Sequence, residues 1–174
     1  MLPDIPRIKL DDLQADFPGV FDGARYVDVG VGWLPIIQDF IRMAQAIWPQ
    51  LEITELKEKF GSLRIHKAFP PEAVREEIYL ADGLAEMRSM YRCEACGEPG
   101  YIRRPPAGQF AWLQCRCDEH ATDEQRSWPK PDFYENPYVW VAGTKCRYDP
   151  VADTLEAMEP PYGTLPHETR YPRR

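Results

Sequence analysis

Two short pairs decide how this chain is read: Cys93-Glu-Ala-Cys96 and, about twenty residues later, Cys117-Asp-Glu-His120. Thiolate sulfur binds zinc at about 2.3 Å and imidazole nitrogen at about 2.0–2.1 Å, in a tetrahedron. A Cys-x-x-Cys turn brings two sulfurs to one ion, and Gly97 directly after it supplies the unusual φ that such a turn needs. The expected site is one structural zinc ion per chain held by Cys93, Cys96, Cys117 and His120. Four protein ligands leave no open position for an activated water, which favours a structural role over a catalytic one.

Cys115 offers two alternatives, as third ligand in place of Cys117 or as fourth in place of His120. A redox dithiol is a further reading. That chemistry belongs at a helix start after a strand, whereas this Cys-x-x-Cys follows the end of a predicted helix. A closed site of mixed sulfur and nitrogen donors favours zinc over iron.

Between the pairs, Tyr101–Arg103 and 110–113 read as strands joined by Arg104-Pro-Pro-Ala-Gly108, and a helix is expected from Cys117 through Arg126. The order of knuckle, hairpin and helix bearing the last two ligands resembles a treble-clef zinc finger. His-Asn-His nucleases are built on that fold, but they need a histidine in the hairpin, and none lies between Cys96 and His120.

Outward from the pairs, residues 1–91 carry most of the periodic signal. Asp11–Asp16 reads as a short helix and Arg25–Val29 as a strand. Gly30-Val-Gly32 is a break, and Pro35 suits a first helical turn. Ile37, Phe40, Ile41, Ala44, Ile47 and Trp48 then form one apolar face, ended by Pro49. Gly30-Val-Gly32 after a strand resembles the start of a phosphate loop, but Pro35 stands where the dinucleotide pattern wants glycine. In 51–68, Ile53, Leu56 and Phe60 fit one side of a helix, while Leu63 and Ile65 alternate as in a strand; a hairpin turning at Gly61 is preferred. Pro70-Pro71-Glu72 opens a long helix with a stripe of Val74, Ile78, Ala81, Leu84, Ala85 and Met87, in which Gly83 costs roughly 1 kcal/mol against alanine. The zinc module covers 92–127. Residues 128–174 give strands at Tyr138–Val141, 145–148 and 155–158, then a proline-interrupted tail from Glu159. The expected fold class is thus α+β: a small mixed domain, a treble-clef-like zinc module and an extended Pro/Tyr-rich C-terminal tail.

The chain has 174 residues, 44% hydrophobic, with a formal net charge of −7. That balance does not suit non-specific nucleic-acid binding, which neutralises phosphates. The first residues lack the basic start and apolar run of a secretory signal, no apolar stretch approaches the ~20 residues of a membrane span, and the cysteine number is odd. A reducing cytoplasm is expected. His66 and His167 have no nucleophile partner in view, so no catalytic residue is assigned.

Gly32-Trp33 with Pro35, Lys57-Glu-Lys-Phe-Gly-x-Leu-Arg64, Cys93-x-x-Cys96-Gly-x-Pro-Gly100 and Cys117-Asp-Glu-His120 together resemble a group of small bacterial and phage proteins across about residues 30–121. The resemblance favours Cys117 and His120 over Cys115 and brings no activity with it. The preferred expectation is a non-enzymatic, zinc-stabilised protein-binding module whose partner is another protein, of basic or nucleic-acid-handling kind; an inhibitor or immunity role in phage or mobile-element conflict is a refinement of it. The alternatives are nucleic-acid binding through a patch of Arg88, Arg92, Arg103, Arg104 and Arg116, and an enzyme with an unrecognised site.

Overall fold

The computed structural model describes residues 5–158; the expected tail from Glu159 and His167 fall outside them. Helix α1 (Leu10–Asp16) precedes strand β1 (Tyr26–Asp28), a 3-10 turn (Val31–Trp33) and helix α2 (Leu34–Ile47). Pro35 sits in the first turn of α2, where a missing N–H is harmless. The helix buries Ile36, Ile37, Phe40, Ile41 and Ala44, and full burial of such an Ile or Phe contributes roughly 1.5–3 kcal/mol. Ile47 departs from the expected face and is 40% exposed, because the helix ends there and Trp48 turns inward instead.

Strands β2 (Ile53–Lys59) and β3 (Ser62–Lys67) form the preferred hairpin, and β1 adds to β2 in parallel to give the sheet order β1-β2-β3. The helix-like spacing of Ile53 and Leu56 has a physical origin. The register slips between Ile53 and Glu55, so Thr54 is an extra residue and both apolar neighbours face the core. Phe60 does not join them. Phe60 and Gly61 form the two-residue turn with φ of 56° and 82°, the positive pair of a type I′ hairpin.

Helix α3 (Arg75–Ser89) packs against α2 and β3 on one side and against the C-terminal sheet on the other. The buried Ser89 hydroxyl accepts from Leu63 N at 2.8 Å and donates to Glu86 O, which ties the helix end to the hairpin. Strands β4 (Tyr101–Arg103) and β5 (Gln114–Arg116) form a two-stranded antiparallel ladder. The second strand therefore lies after the expected 110–113 stretch, whose Phe110 and Trp112 are exposed. The expected helix from Cys117 is also corrected. Helix α4 spans Asp123–Ser127, because Thr122 caps it: its hydroxyl accepts from Gln125 N and the Gln125 side chain accepts from Thr122 N. Residues 118–120 are a turn ahead of it.

Strands β6 (Tyr138–Val141), β7 (Thr144–Asp149) and β8 (Thr154–Ala157) make an antiparallel meander, as the sequence suggests. It buries Val139, Val141, Cys146 and Tyr148 with Met87, so Cys146 is a core residue. Gly83 explains itself here: a Cβ at that position would stand 2.7 Å from Val141 Cγ2. The larger core joins α1, α2, α3 and the first sheet to Ile102 of β4 and Cys115 of β5. The molecule is a small mixed α+β fold with three sheets and four α-helices among the described residues. No helix among them is long and apolar enough to cross a membrane.

Candidate metal centre

Each element near Cys93 is held by backbone rather than by chance of side-chain packing. Cys93 N donates to Glu98 O at 2.8 Å and Gly97 N donates back to Cys93 O at 2.8 Å, closing the knuckle. Gly97 has φ of 79°, the left-handed value the turn requires. Glu94 N bonds Cys115 O at 3.1 Å, which places the knuckle beside β5 and so beside Cys117.

Four donor atoms, the sulfurs of Cys93, Cys96 and Cys117 and one ring nitrogen of His120, lie within 4.8 Å of one another. Cys96 Sγ and Cys117 Sγ are 3.8 Å apart, and Cys117 Sγ is 3.3 Å from His120 Nδ1. Two sulfurs each about 2.3 Å from one tetrahedral ion stand about 3.8 Å apart, and a sulfur and a nitrogen about 3.6 Å. A disulfide would need about 2.05 Å. The cluster therefore has the dimensions of a site that holds a metal ion. Cys93 is buried, Cys117 half-buried and Cys96 exposed.

The thiols respond differently to this crowding. Burial opposes ionisation of Cys93, but backbone N–H groups of Cys117, Ala95 and Cys96 aimed at its sulfur bring it below its ordinary value. Cys96 is exposed as a residue, but desolvation of its sulfur within the cluster and the neighbouring sulfurs push it up to about 12. Coordination would deprotonate the thiols, and the positive charge of a bound cation would offset the repulsion among the thiolates.

The structure brings together the four residues favoured from sequence and leaves Cys115 outside. Cys115 is wholly buried in the main core and donates its S–H to Met90 O at 3.2 Å. Burial raises its pKa well above the ordinary thiol value, so it stays protonated.

Three features support the cluster through contacts that no short-range pattern in the sequence reveals. The first is Glu94, the residue inside the Cys-x-x-Cys turn, which is 1% exposed. It accepts from Gly30 N and Arg7 Nη1 at 3.1 Å each, and from the buried Arg116 at 3.0 Å. The motif interior, Glu94-Ala95, gives no sign of this, because the partners lie 64, 87 and 22 positions away. The second is Gly30-Val-Gly32. A Cβ on Gly32 would sit 2.2 Å from Cys93 O, and one on Gly30 would sit 2.2 Å from Glu94 O. These glycines let the chain lie flush against the knuckle, where Gly32 N bonds Glu94 O at 2.9 Å. The third is Arg103, 1% exposed, which stacks on Tyr101 and pairs with Asp118 at 2.6 Å, inside the second ligand pair. Arg103 and Arg116 are thus buried and committed, so the surface patch of five arginines expected from sequence loses two members.

Compared with protein-family models, curated proteins and solved structures, the chain gives no match.

Proposed function

We propose that the protein is a non-enzymatic binding module stabilised by one structural zinc ion, with another protein as its partner. The observation that carries the metal part is the spacing of the four donors, 3.8 Å between Cys96 and Cys117 sulfurs and 3.3 Å from Cys117 to His120 Nδ1. Three thiolates and one imidazole fill a tetrahedral ion, and this donor set favours Zn²⁺ over oxygen-seeking metals. When bound, zinc supplies cross-linking charge, and the chain's own groups do the rest. Backbone N–H groups support the Cys93 sulfur, and Arg103 with Asp118 and Arg126 with the Asp118 and Ala121 carbonyls hold the second turn. The order of knuckle, β4–β5 ladder and a following ligand turn supports a treble-clef-like reading of this region, although Cys117 and His120 sit on the turn ahead of α4 and not on the helix itself.

The binding part rests on the acidic balance of −7 and on exposed aromatic side chains away from the metal cluster. An acidic surface suits a basic or nucleic-acid-handling protein partner better than a phosphate backbone. The same acidity suits an inhibitor or immunity protein of phage or mobile-element origin acting in the cytoplasm.

Elemental analysis of the purified chain tests the metal part; we expect one zinc per chain, and a metal-free folded sample overturns it. Affinity capture from host lysate with the zinc-loaded chain tests the binding part. Recovery of no protein above a tag-only control overturns it.

A further inference from the structure

Beyond the metal centre, the loop 104–113 and the tip of the β2–β3 hairpin enclose a groove of about 620 Å³. Its walls include Phe60, Phe110 and Trp112, which are 65%, 105% and 66% exposed. Large aromatic side chains clustered in water mark an interaction surface rather than a solvated face. The backbone adds to this. Phe60 holds a left-handed φ of 56°, unusual for a bulky residue, and that conformation keeps its ring at the hairpin tip instead of in the core where the apolar spacing would send it.

One charge lies in this apolar wall. The half-buried Glu58 carboxylate takes N–H groups from Gly61 and from Trp112 Nε1, the latter at 2.8 Å. Both donors are neutral, and no cation pairs with Glu58 among the described residues. Lys59 and Arg104 also line the groove but are exposed, and Lys59 stands 5.6 Å over the Phe60 ring, so that one ring already has a cation near its face. The indole N–H of Trp112 is spent on Glu58, which leaves it nothing to offer the carbonyl of an apolar or proline-rich segment.

We infer that this groove receives an arginine or lysine side chain of a partner protein, seated against Trp112 and Phe110 and paired with the Glu58 carboxylate. The inference rests on the protein-binding reading above and names the chemistry of its partner. A guanidinium suits the site best, because it is planar, weakly hydrated and stacks on aromatic faces while donating to a carboxylate. A nucleic acid would set its phosphates against Glu58.

The test is a titration of the full zinc-loaded chain with blocked hexa-arginine at about 0.15 M salt, where surface attraction is screened beyond about 8 Å. The readout is the Trp112 indole resonance in a proton–nitrogen spectrum, assigned by loss of that signal in Trp112→Phe. We expect this indole to shift ahead of the other tryptophans. Glu58→Gln, which keeps the acceptor and removes the charge, should weaken binding about tenfold or more. Glu156→Gln removes the same charge from an exposed site on β8 and should leave affinity unchanged. If Glu58→Gln disturbs the fold, seen in the remaining indole signals, Phe110→Ala takes its place, with a several-fold loss expected. Equal affinity in the Glu58 and Glu156 variants, or tighter binding of hexaproline than of hexa-arginine, overturns the inference. Either failure leaves the protein-binding reading standing if lysate capture still recovers a partner.

Discussion

Glu94 is the residue on which the centre turns, although it donates nothing to a metal. Its carboxylate is enclosed by Gly30 N, Arg7 and Arg116, and the Glu94 and Arg116 side chains are each only 2% exposed. Neutralising one partner of a buried pair leaves the other charge uncompensated, which costs about 3–5 kcal/mol. Glu94→Gln should therefore lower stability by about that much in urea unfolding, with Arg116 left as a lone buried cation. The loss should be far smaller in a Glu94→Gln, Arg116→Met double variant, since non-additivity is the signature of a shared contact. Ligand assignment is tested at the same scale. Cys117→Ser and His120→Ala should each reduce bound metal, measured by mass spectrometry of the native protein. Cys115→Ala should keep full metal content, because Cys115 spends its thiol on Met90 O. The latter variant should still lose about 1 kcal/mol or more of stability, from the vacated core and the lost hydrogen bond.

At the scale of elements, what the sequence makes legible is local. The α2 stripe, the β2–β3 hairpin, the long helix α3 and the C-terminal meander all follow from short-range periodicity and turn residues, and each stands close to its expected bounds. The misplaced elements fail for identifiable reasons. Phe110 to Leu113 looks like a strand by composition, yet Arg103 pairs with Gln114, so the ladder begins only there. Cys117 to His120 looks like a helix start, yet Thr122 with Gln125 is the stronger cap and delays the helix. The four ligands were readable because ligand pairs are a short-range pattern. The glycines at 30 and 32 were not, because their demand comes from a segment some sixty positions away. Gly83 shows the same conflict and can be measured. Helix propensity alone promises a gain of roughly 1 kcal/mol for Gly83→Ala. The new Cβ would instead meet Val141 Cγ2 at 2.7 Å and Leu155 Cδ1 at 3.4 Å, and a stiff β-branched valine has little room to yield. The variant should be less stable than the parent in thermal unfolding. Asp153 joins the same two elements from the meander side. Burial opposes its charge, but Arg88 Nε and Nη2 and the Tyr148 hydroxyl hold the carboxyl below its ordinary value. A depressed carboxylate stabilises the fold above the unfolded pKa and loses that contribution as pH falls through the folded one. Asp153→Asn should thus cost about 1 kcal/mol at neutral pH, tempered by solvent screening of a partly exposed pair, and the difference should close in acid.

At the scale of the whole molecule, the metal cluster is positioned to couple regions rather than to decorate one. Gly32 N and Trp33 Nε1 bond Glu94 O and Arg92 O at 2.9 Å each, which binds the entry of α2 to the knuckle. Ile102 and Cys115, from the ladder between the ligand pairs, belong to the same core as α2 and the first sheet. If the cluster holds zinc as proposed, releasing the ion would leave three crowded thiols and free the two turns that clamp this ladder, so the loss should spread into the main core. Chelation should accordingly lower the principal unfolding transition by many degrees, as a single shifted step in calorimetry. A separate low-temperature step with the main transition unmoved would mean the metal region melts alone. Hydrogen exchange locates the damage. On chelation, protection should fall first at Gly32, the Trp33 indole and Cys93, whose acceptors are the carbonyls of Glu94, Arg92 and Glu98, and then along the β4–β5 ladder between the two ligand pairs. The β6–β7–β8 amides should respond later, because that meander is anchored on α3 and Met87 through a second apolar cluster of its own. Readdition of zinc should restore the order in reverse, and magnesium should not, since thiolate and imidazole donors discriminate against it.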